Sequence, residues 1–356
     1  MFIIKKISNS FLLLLILILI FLKIFYFLLN QSGLSSIQVG GGGDADYYDF
    51  FAKGGTDVAT SIWPIILNYL NNYGLYSREY ITFFLFILTL IFIPLLINKL
   101  SNLKFYNDQK LFLILFFIIS LYPTLLFYSL DIFRDPFMVW IFLIVCWAVK
   151  LYTTSNNILI KIFYFLCFIS FSIFLYKLRG YLGFSLWAAF LLMPLKFNKK
   201  RVVIFLFSYL LILFIFNYLG FFNELTEYRE GFEEANGGST LGLDFSNSFL
   251  FIPNYILSFL GQLIGLYITN PIALILFLVE TIPFLICFLY VIKNISYTNL
   301  FLRFLLIFFI IYSSIWLIGN DNLGTAVRLR LFNYIAIYIC FFSILKIKKD
   351  NPRGEK

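Results

Sequence analysis

Histidine is absent from the 356 residues. That removes Ser-His-Asp and Cys-His nucleophilic mechanisms, His-bearing zinc sites and imidazole-based pH switching. Charge is scarce too. Only 13% of residues are charged, against 62% apolar and 22% aromatic, whereas a soluble domain carries about 25% charged residues. A disordered chain is excluded by the same apolarity. The cysteines are few, and Cys146, Cys167, Cys287 and Cys340 all fall in apolar stretches without paired spacing. They read as small packing residues, not as a disulfide framework. These exclusions leave an all-α integral membrane protein, a single polytopic domain over residues 1–356.

Apolar runs of about 17–25 residues mark spanning helices. The sequence predicts about ten: Phe11–Leu29, Tyr80–Ile97, Leu111–Leu130, Pro136–Tyr152, Ile162–Tyr176, Tyr181–Leu195, Val202–Leu219, Ile272–Ile292, Leu300–Ile318 and Leu331–Leu345. The first is expected to stay as a span, because its apolar run is too long for a signal peptide and no small-residue cleavage site follows directly. Phe249–Asn270 is more polar, with Pro253, Asn254, Ser258, Gly261, Gln262 and Gly265. Charge decides its treatment. If it lies on or dips into the outer surface, the basic tail stays inside, as the positive-inside rule prefers. Both termini are then cytoplasmic, and the inner segments hold most lysines and arginines against only Asp108, Asp350 and Glu355. The net charge of +9 is thus a topology signal, and no surface for nucleic acid is implied.

Two long outer loops result, 30–79 and 220–271. No internal repeat supports an inverted-repeat transporter. In the first loop, GGGGDADYYDFFAKGGTD carries Asp44, Asp46, Asp49 and Asp57 close to the end of the first span. Asp44 to Ala52 can start a short helix with Asp44 near its N-terminus, placing Asp44, Tyr48 and Ala52 on one face. This reads either as a solvated acidic loop or as the place for a general base or a divalent cation. The following TSIWPIILNYLNNYGLY reads as an amphipathic helix on the membrane surface, anchored by Trp63 and its tyrosines.

A short turn between two apolar spans holds Asp131, Arg134 and Asp135, followed by Pro136. Capping by Asp135 explains one of the three charges, not all. Lys177 and Arg179 crowd another outer turn, and Arg328 and Arg330 stand at an outer helix start. Cations at a helix N-terminus oppose its dipole, a cost that a bound phosphate would offset. Pairing with outer-loop acids, such as Asp321 with Arg328, is the alternative. Glu280, mid-span, must face a cation or a wet cavity. The acidic segment NELTEYREGFEEANGGSTLGLDF reads equally as a lid or as a plain loop.

A carboxylate cluster, an acid–base turn and two di-cation turns suit a lipid-linked phosphate whose reactive end stands above the bilayer. Carboxylates can deprotonate an acceptor hydroxyl while cations stabilise the departing phosphate. The run from Asp44 to Ala52, just after the first span, resembles the first-loop motif of GT-C type membrane glycosyltransferases. The turns LRG and GTAVRLR look like basic motifs of polytopic proteins of surface-polysaccharide clusters, which points to a Wzy-like repeat-unit polymerase of O-antigen or capsule.

The resemblance implies Asp44 as catalytic base with Asp46 next in line. Asp131, Arg134 and Asp135 would position acceptor or metal, and Lys177, Arg179, Arg328 and Arg330 would bind the lipid phosphate. It implies a polyprenyl-(pyro)phosphate-linked donor, a glycan acceptor and the outer face of a bacterial cytoplasmic membrane. A divalent cation and a chain-length-regulating co-polymerase are further candidates. The short first loop, and the absence of a soluble domain after the last span, depart from many such enzymes. A GT-C single-sugar transferase, a flippase of lipid-linked oligosaccharide and a non-catalytic assembly partner remain as alternatives.

Overall fold

The computed structural model describes residues 8–34, 42–55, 58–196, 202–234 and 239–350. The predicted cytoplasmic termini, Asp57, the basic Lys199–Arg201 and Gly237–Gly238 lie outside them. Among the described residues the secondary structure is helical, with one isolated bridge between Thr240 and Asn322. Among these residues seven helices are long and apolar enough to cross a membrane, or eight if one bent pair counts as a single span. The chain is therefore built as an integral membrane protein, and it divides into two compact units, Met1–Gly183 with Leu345–Lys356, and Phe184–Ile344.

In the first unit, α1 (Asn9–Gln31) is capped by Ser8, whose hydroxyl accepts from Phe11 N at 3.1 Å. Two short helices follow, α2 (Gly42–Ala52) and α3 (Ile62–Asn72). The predicted span at 80–97 is α4 (Arg78–Leu100), which passes through a π turn at Leu88–Phe92 immediately before Ile93-Pro94. Proline has no N–H for the i→i−4 ladder, and the wider turn absorbs that gap without breaking the helix.

The expected span Leu111–Leu130 is different. It breaks into α5 (Gln109–Leu121) and α6 (Pro123–Tyr128) at Tyr122, which is extended at φ −63°, ψ 105°. Pro123 clashes with a helical residue before it and enforces the break. At 13 residues, α5 reaches about 20 Å, short of a hydrocarbon core of about 30 Å. The hairpin of α7 (Arg134–Thr154) and α8 (Ile158–Leu178) completes the set, with Asn157 capping α8 through Leu159 N at 2.9 Å.

α4 and α7 run in the same direction. Their starts hold Arg78 and Arg134. At their ends Lys150 Nζ donates to Lys99 O at 2.7 Å and Leu100 O at 2.9 Å, and Lys99 lies 3.8 Å from the Trp147 ring. In the same unit, Lys346 and Lys349 clamp Asp108 at 2.9 and 2.8 Å. Burial raises the Asp108 carboxyl, but the two lysines outweigh it and hold the group below its usual range.

In the second unit, α9 (Gly180–Leu192) comes in from the first and α10 (Val202–Tyr218) follows. With 13 residues, α9 is also shorter than the span predicted at 181–195. An 80° bend leads from α10 into α11 (Asn223–Glu234), with Gly220 at φ +77° between them. The ambiguous 249–270 segment is helical only over α12 (Phe251–Ser258) and a π turn at Phe259–Leu263. That length cannot cross a bilayer core, so the segment has the dimensions of a re-entrant or surface piece.

Then come α13 (Pro271–Lys293), α14 (Leu300–Gly319) and α15 (Leu323–Asp350). A π turn at Phe277–Thr281 precedes Pro283, repeating the device of α4. The core of this unit is α14 with α15, where Phe304, Phe308, Tyr312, Trp316, Phe332, Tyr334 and Tyr338 are fully buried. The cysteines are free, and Cys146, Cys287 and Cys340 are buried, as expected of packing residues.

Gly265 turns the chain at φ +70°, and a Cβ there would collide with the Arg330 guanidinium. Gly265→Ala therefore meets a left-handed backbone cost of about 1–2 kcal/mol and displaces Arg330 from Glu280. A clear drop in the melting temperature of the detergent-solubilised protein is the expected result. An unchanged melting temperature would show that this close approach is not maintained.

Candidate functional site

The buried face of α2 explains its formation. Ala45, Tyr48 and Ala52 recur at helical spacing and are buried, so the segment packs despite its glycines. Asn68 of α3 donates to Phe51 O at 3.3 Å and Ala52 O at 3.2 Å, covering the last carbonyls of α2. Tyr47 Oη donates to Val58 O at 2.8 Å and accepts from Thr60 N at 3.1 Å. Trp63 is not the interfacial anchor its sequence context suggested. It is buried, donates from Nε1 to Ile132 O at 2.9 Å and lies against Phe137. α3 is thereby docked onto the turn that carries Asp131.

This packing brings three carboxylates to one guanidinium. Arg78 donates from Nε to Asp131 Oδ1 at 2.9 Å and from Nη2 to Asp131 Oδ2 at 2.6 Å, a bidentate pair. The same Nη2 reaches Asp46 Oδ1 at 2.9 Å, and Nη1 lies 3.9 Å from Asp49 Oδ2. Asp49 also accepts from Lys53 Nζ at 2.8 Å and from Tyr76 Oη at 2.7 Å. Burial pushes the Asp49 carboxyl up, but the bonds from Lys53 and Tyr76, with the charges of Lys53 and Arg78, hold it below its usual range. The Tyr76 hydroxyl is pushed up by burial and then by Asp49, so it stays a donor. Two cations face three acids, leaving the cluster negative. Asp44 stands half-buried in the first turn of α2, beside this cluster in sequence.

The Asp131–Asp135 turn divides its charges among separate partners. Asp131 goes to Arg78, and Arg134 donates to Leu178 O at 3.0 Å. Asp135 does not cap α7, whose N-cap position is Phe133. It is buried and pairs with buried Arg179 at 3.4 Å. Lys177 is exposed. Among the described residues no group of three or more His, Cys, Asp or Glu is placed to hold a metal ion, and at the acidic cluster the guanidinium stands among the carboxylates.

In the second unit Arg330 is buried and pairs with buried Glu280 at 3.4 Å, giving the mid-span acid the cation it required. Arg328 is half-buried. Asp321 pairs with Arg229, not with Arg328 as the sequence suggested. Arg229 also donates to Leu243 O at 3.0 Å, Leu317 O at 3.1 Å and Asn320 O at 2.7 Å. Asp321 Oδ2 accepts from Leu241 N at 3.1 Å and Gly242 N at 3.0 Å. Residues 239–243 of the long acidic loop are thus tied to the turn before α15. Nearby, Gln262 and Asn320 bond each other, and Ser258 Oγ donates to Leu317 O at 2.7 Å.

Sequence reasoning missed Arg78, Tyr76 and Arg229. The available signal for Arg78 was a lone arginine at a span start, on the side richer in acids, where the topology rule disfavours it. No known family model matches the chain, and neither a curated protein nor a solved structure does.

Proposed function

We propose that the chain is a membrane glycosyltransferase that moves a sugar or an oligosaccharide repeat unit from a polyprenyl-(pyro)phosphate donor to a glycan acceptor. A repeat-unit polymerase of surface polysaccharide is the preferred form, and a single-sugar transferase the narrower one. The observation carrying this reading is the gathering of Asp46, Asp49 and Asp131 on Arg78 at one end of span-length helices. The other ends of those helices hold Lys99 and Lys150, with Lys346 and Lys349 clamping Asp108 in the same unit. By the positive-inside rule the lysine end faces the cytosol and the carboxylate end the exterior. Cytoplasmic termini and a bacterial inner membrane belong to the same proposal.

In the reaction, Asp44 takes the proton of an acceptor hydroxyl as its oxygen bonds the anomeric carbon. The bond from that carbon to the lipid phosphate oxygen breaks, and the phosphate leaves with the electron pair. Asp46 is paired with Arg78, and Asp44, half-buried in the first turn of α2, takes the role of base. Lys177, which is exposed, meets the leaving charge in the first unit. In the second unit Arg330 is paired with Glu280. Asp44→Asn is expected to abolish glycan product while the protein still reaches the membrane, read by immunoblot of membranes and glycan gel. Full product in that variant removes Asp44 from the mechanism.

A flippase of lipid-linked oligosaccharide is the second reading. The pair of Glu280 and Arg330 inside long apolar helices favours it, since intramembrane charges mark transport paths. Transfer in detergent, where no bilayer exists to be crossed, separates the two.

A further inference from the structure

One face of α3 plays no part in the carboxylate chemistry. Opposite buried Trp63, Pro64 and Leu67, it exposes Ile65, Tyr69, Asn72 and Tyr73. The two tyrosine rings meet edge to face with centroids 4.9 Å apart, and their hydroxyls are 3.1 Å from each other. Asn72 Nδ2 donates to Asn68 Oδ1 at 3.4 Å. These contacts are made within the face itself.

Its chemistry narrows the occupant. The α3 sequence IWPIILNYLNN contains no Lys, Arg, Asp or Glu. Helices that lie on membranes carry Lys and Arg on the polar face, and a charged partner would need complementary charge here. A face of phenols and amides without ionic groups suits a neutral, hydroxyl-rich ligand. Ring faces cover the C–H faces of a pyranose, while phenol and amide groups exchange hydrogen bonds with its hydroxyls. The face also adjoins the candidate site. Asn68 covers the end of α2, and Tyr76, just past α3, donates to Asp49.

We propose that α3 is a saccharide-binding platform on which Tyr69, Asn72 and Tyr73 hold a glycan chain beside the carboxylate cluster. That this glycan is the acceptor rests on the glycosyl-transfer reading; the binding itself does not.

The test uses full-length protein in phosphatidylcholine nanodiscs, fluorescently tagged and applied to an array of short soluble oligosaccharides. Wild type is expected to bind a subset of these saccharides. Tyr69→Ala/Tyr73→Ala is expected to bind them about tenfold more weakly, about 1.4 kcal/mol. Asn72→Ala, at an exposed side chain, should weaken binding in part, and Tyr69→Phe/Tyr73→Phe should keep the stacking component. No saccharide bound by wild type, or equal binding by the double alanine variant, overturns the platform. So does a nitroxide at Asn72→Cys that relaxes with oxygen and not with a water-soluble nickel chelate, because the face would then lie in lipid. Saccharide binding without any transfer sinks the transferase reading alone. Transfer with an unchanged acceptor KM in the double alanine variant overturns the assignment of the bound glycan as acceptor.

Discussion

Arg229→Ala is expected to destabilise the second unit by about 3–5 kcal/mol. The guanidinium is buried against the Asp321 carboxylate and also satisfies the carbonyls of Leu243, Leu317 and Asn320. Removing it leaves a buried charge with only the N–H groups of Leu241 and Gly242, and strips the carbonyls at the end of α14 of a shared donor. Stability of this size is a large part of what a domain possesses, so the variant should melt far below wild type or fail to accumulate. Asp321→Asn combined with Arg229→Ala removes the uncompensated charge and should recover part of the loss. Thermal unfolding of the four proteins in detergent gives the cycle. Simple additivity would show that Arg229 and Asp321 do not act as a pair.

The second large effect is on activity. Arg78→Ala frees Asp46, Asp49 and Asp131 to repel one another and releases the Asp131 turn from α4. The pair with Asp131 is partly open to water, so stability should fall only by about 1–2 kcal/mol. The carboxylates, though, lose the group that sets their positions, and a displacement of about 1 Å costs roughly a hundredfold in rate. Product formation is expected to drop by at least that factor at near-normal protein level. Arg78→Lys should recover little, because an ammonium cannot hold Asp131 bidentately and reach Asp46 as well. Restoration of full activity by lysine would reduce Arg78 to a point charge.

Much of the fold is written in local patterns, and its departures have local causes. Unbroken runs such as 11–29 and 300–318 form the helices expected, and the Asp44–Ala52 helix is visible in its buried Ala45, Tyr48 and Ala52. The run 111–130 is equally apolar, yet Pro123 splits it, because hydropathy does not register the conformation a proline forces on its predecessor. Pairing partners were the hidden part. Asp131 meets Arg78 and Asp321 meets Arg229 across long stretches of chain, and nothing in the spacing of either acid selects its cation. Arg179 and Arg330 looked like phosphate ligands because the sequence put both at helix starts, where a cation is costly; Arg330 instead lies beyond the first turn of α15. Buried acids on neighbouring helices pair with both. Trp63 misled for a related reason: an indole between Ile62 and Pro64 reads the same whether its N–H meets water or the Ile132 carbonyl.

The proposed chemistry stands or falls on whether this chain alone makes a glycosidic bond. Purified wild type and Asp44→Asn, each mixed in detergent with a polyprenyl-pyrophosphate-linked oligosaccharide repeat unit, are compared by mass spectrometry of the lipid-linked glycans. Wild type is predicted to lengthen the glycan by whole repeats and release polyprenyl pyrophosphate, while Asp44→Asn returns the substrate unaltered. Lipid-linked glycan left unchanged by folded wild type, with that same glycan crossing the bilayer of wild-type proteoliposomes, would contradict the account and make the chain a transporter.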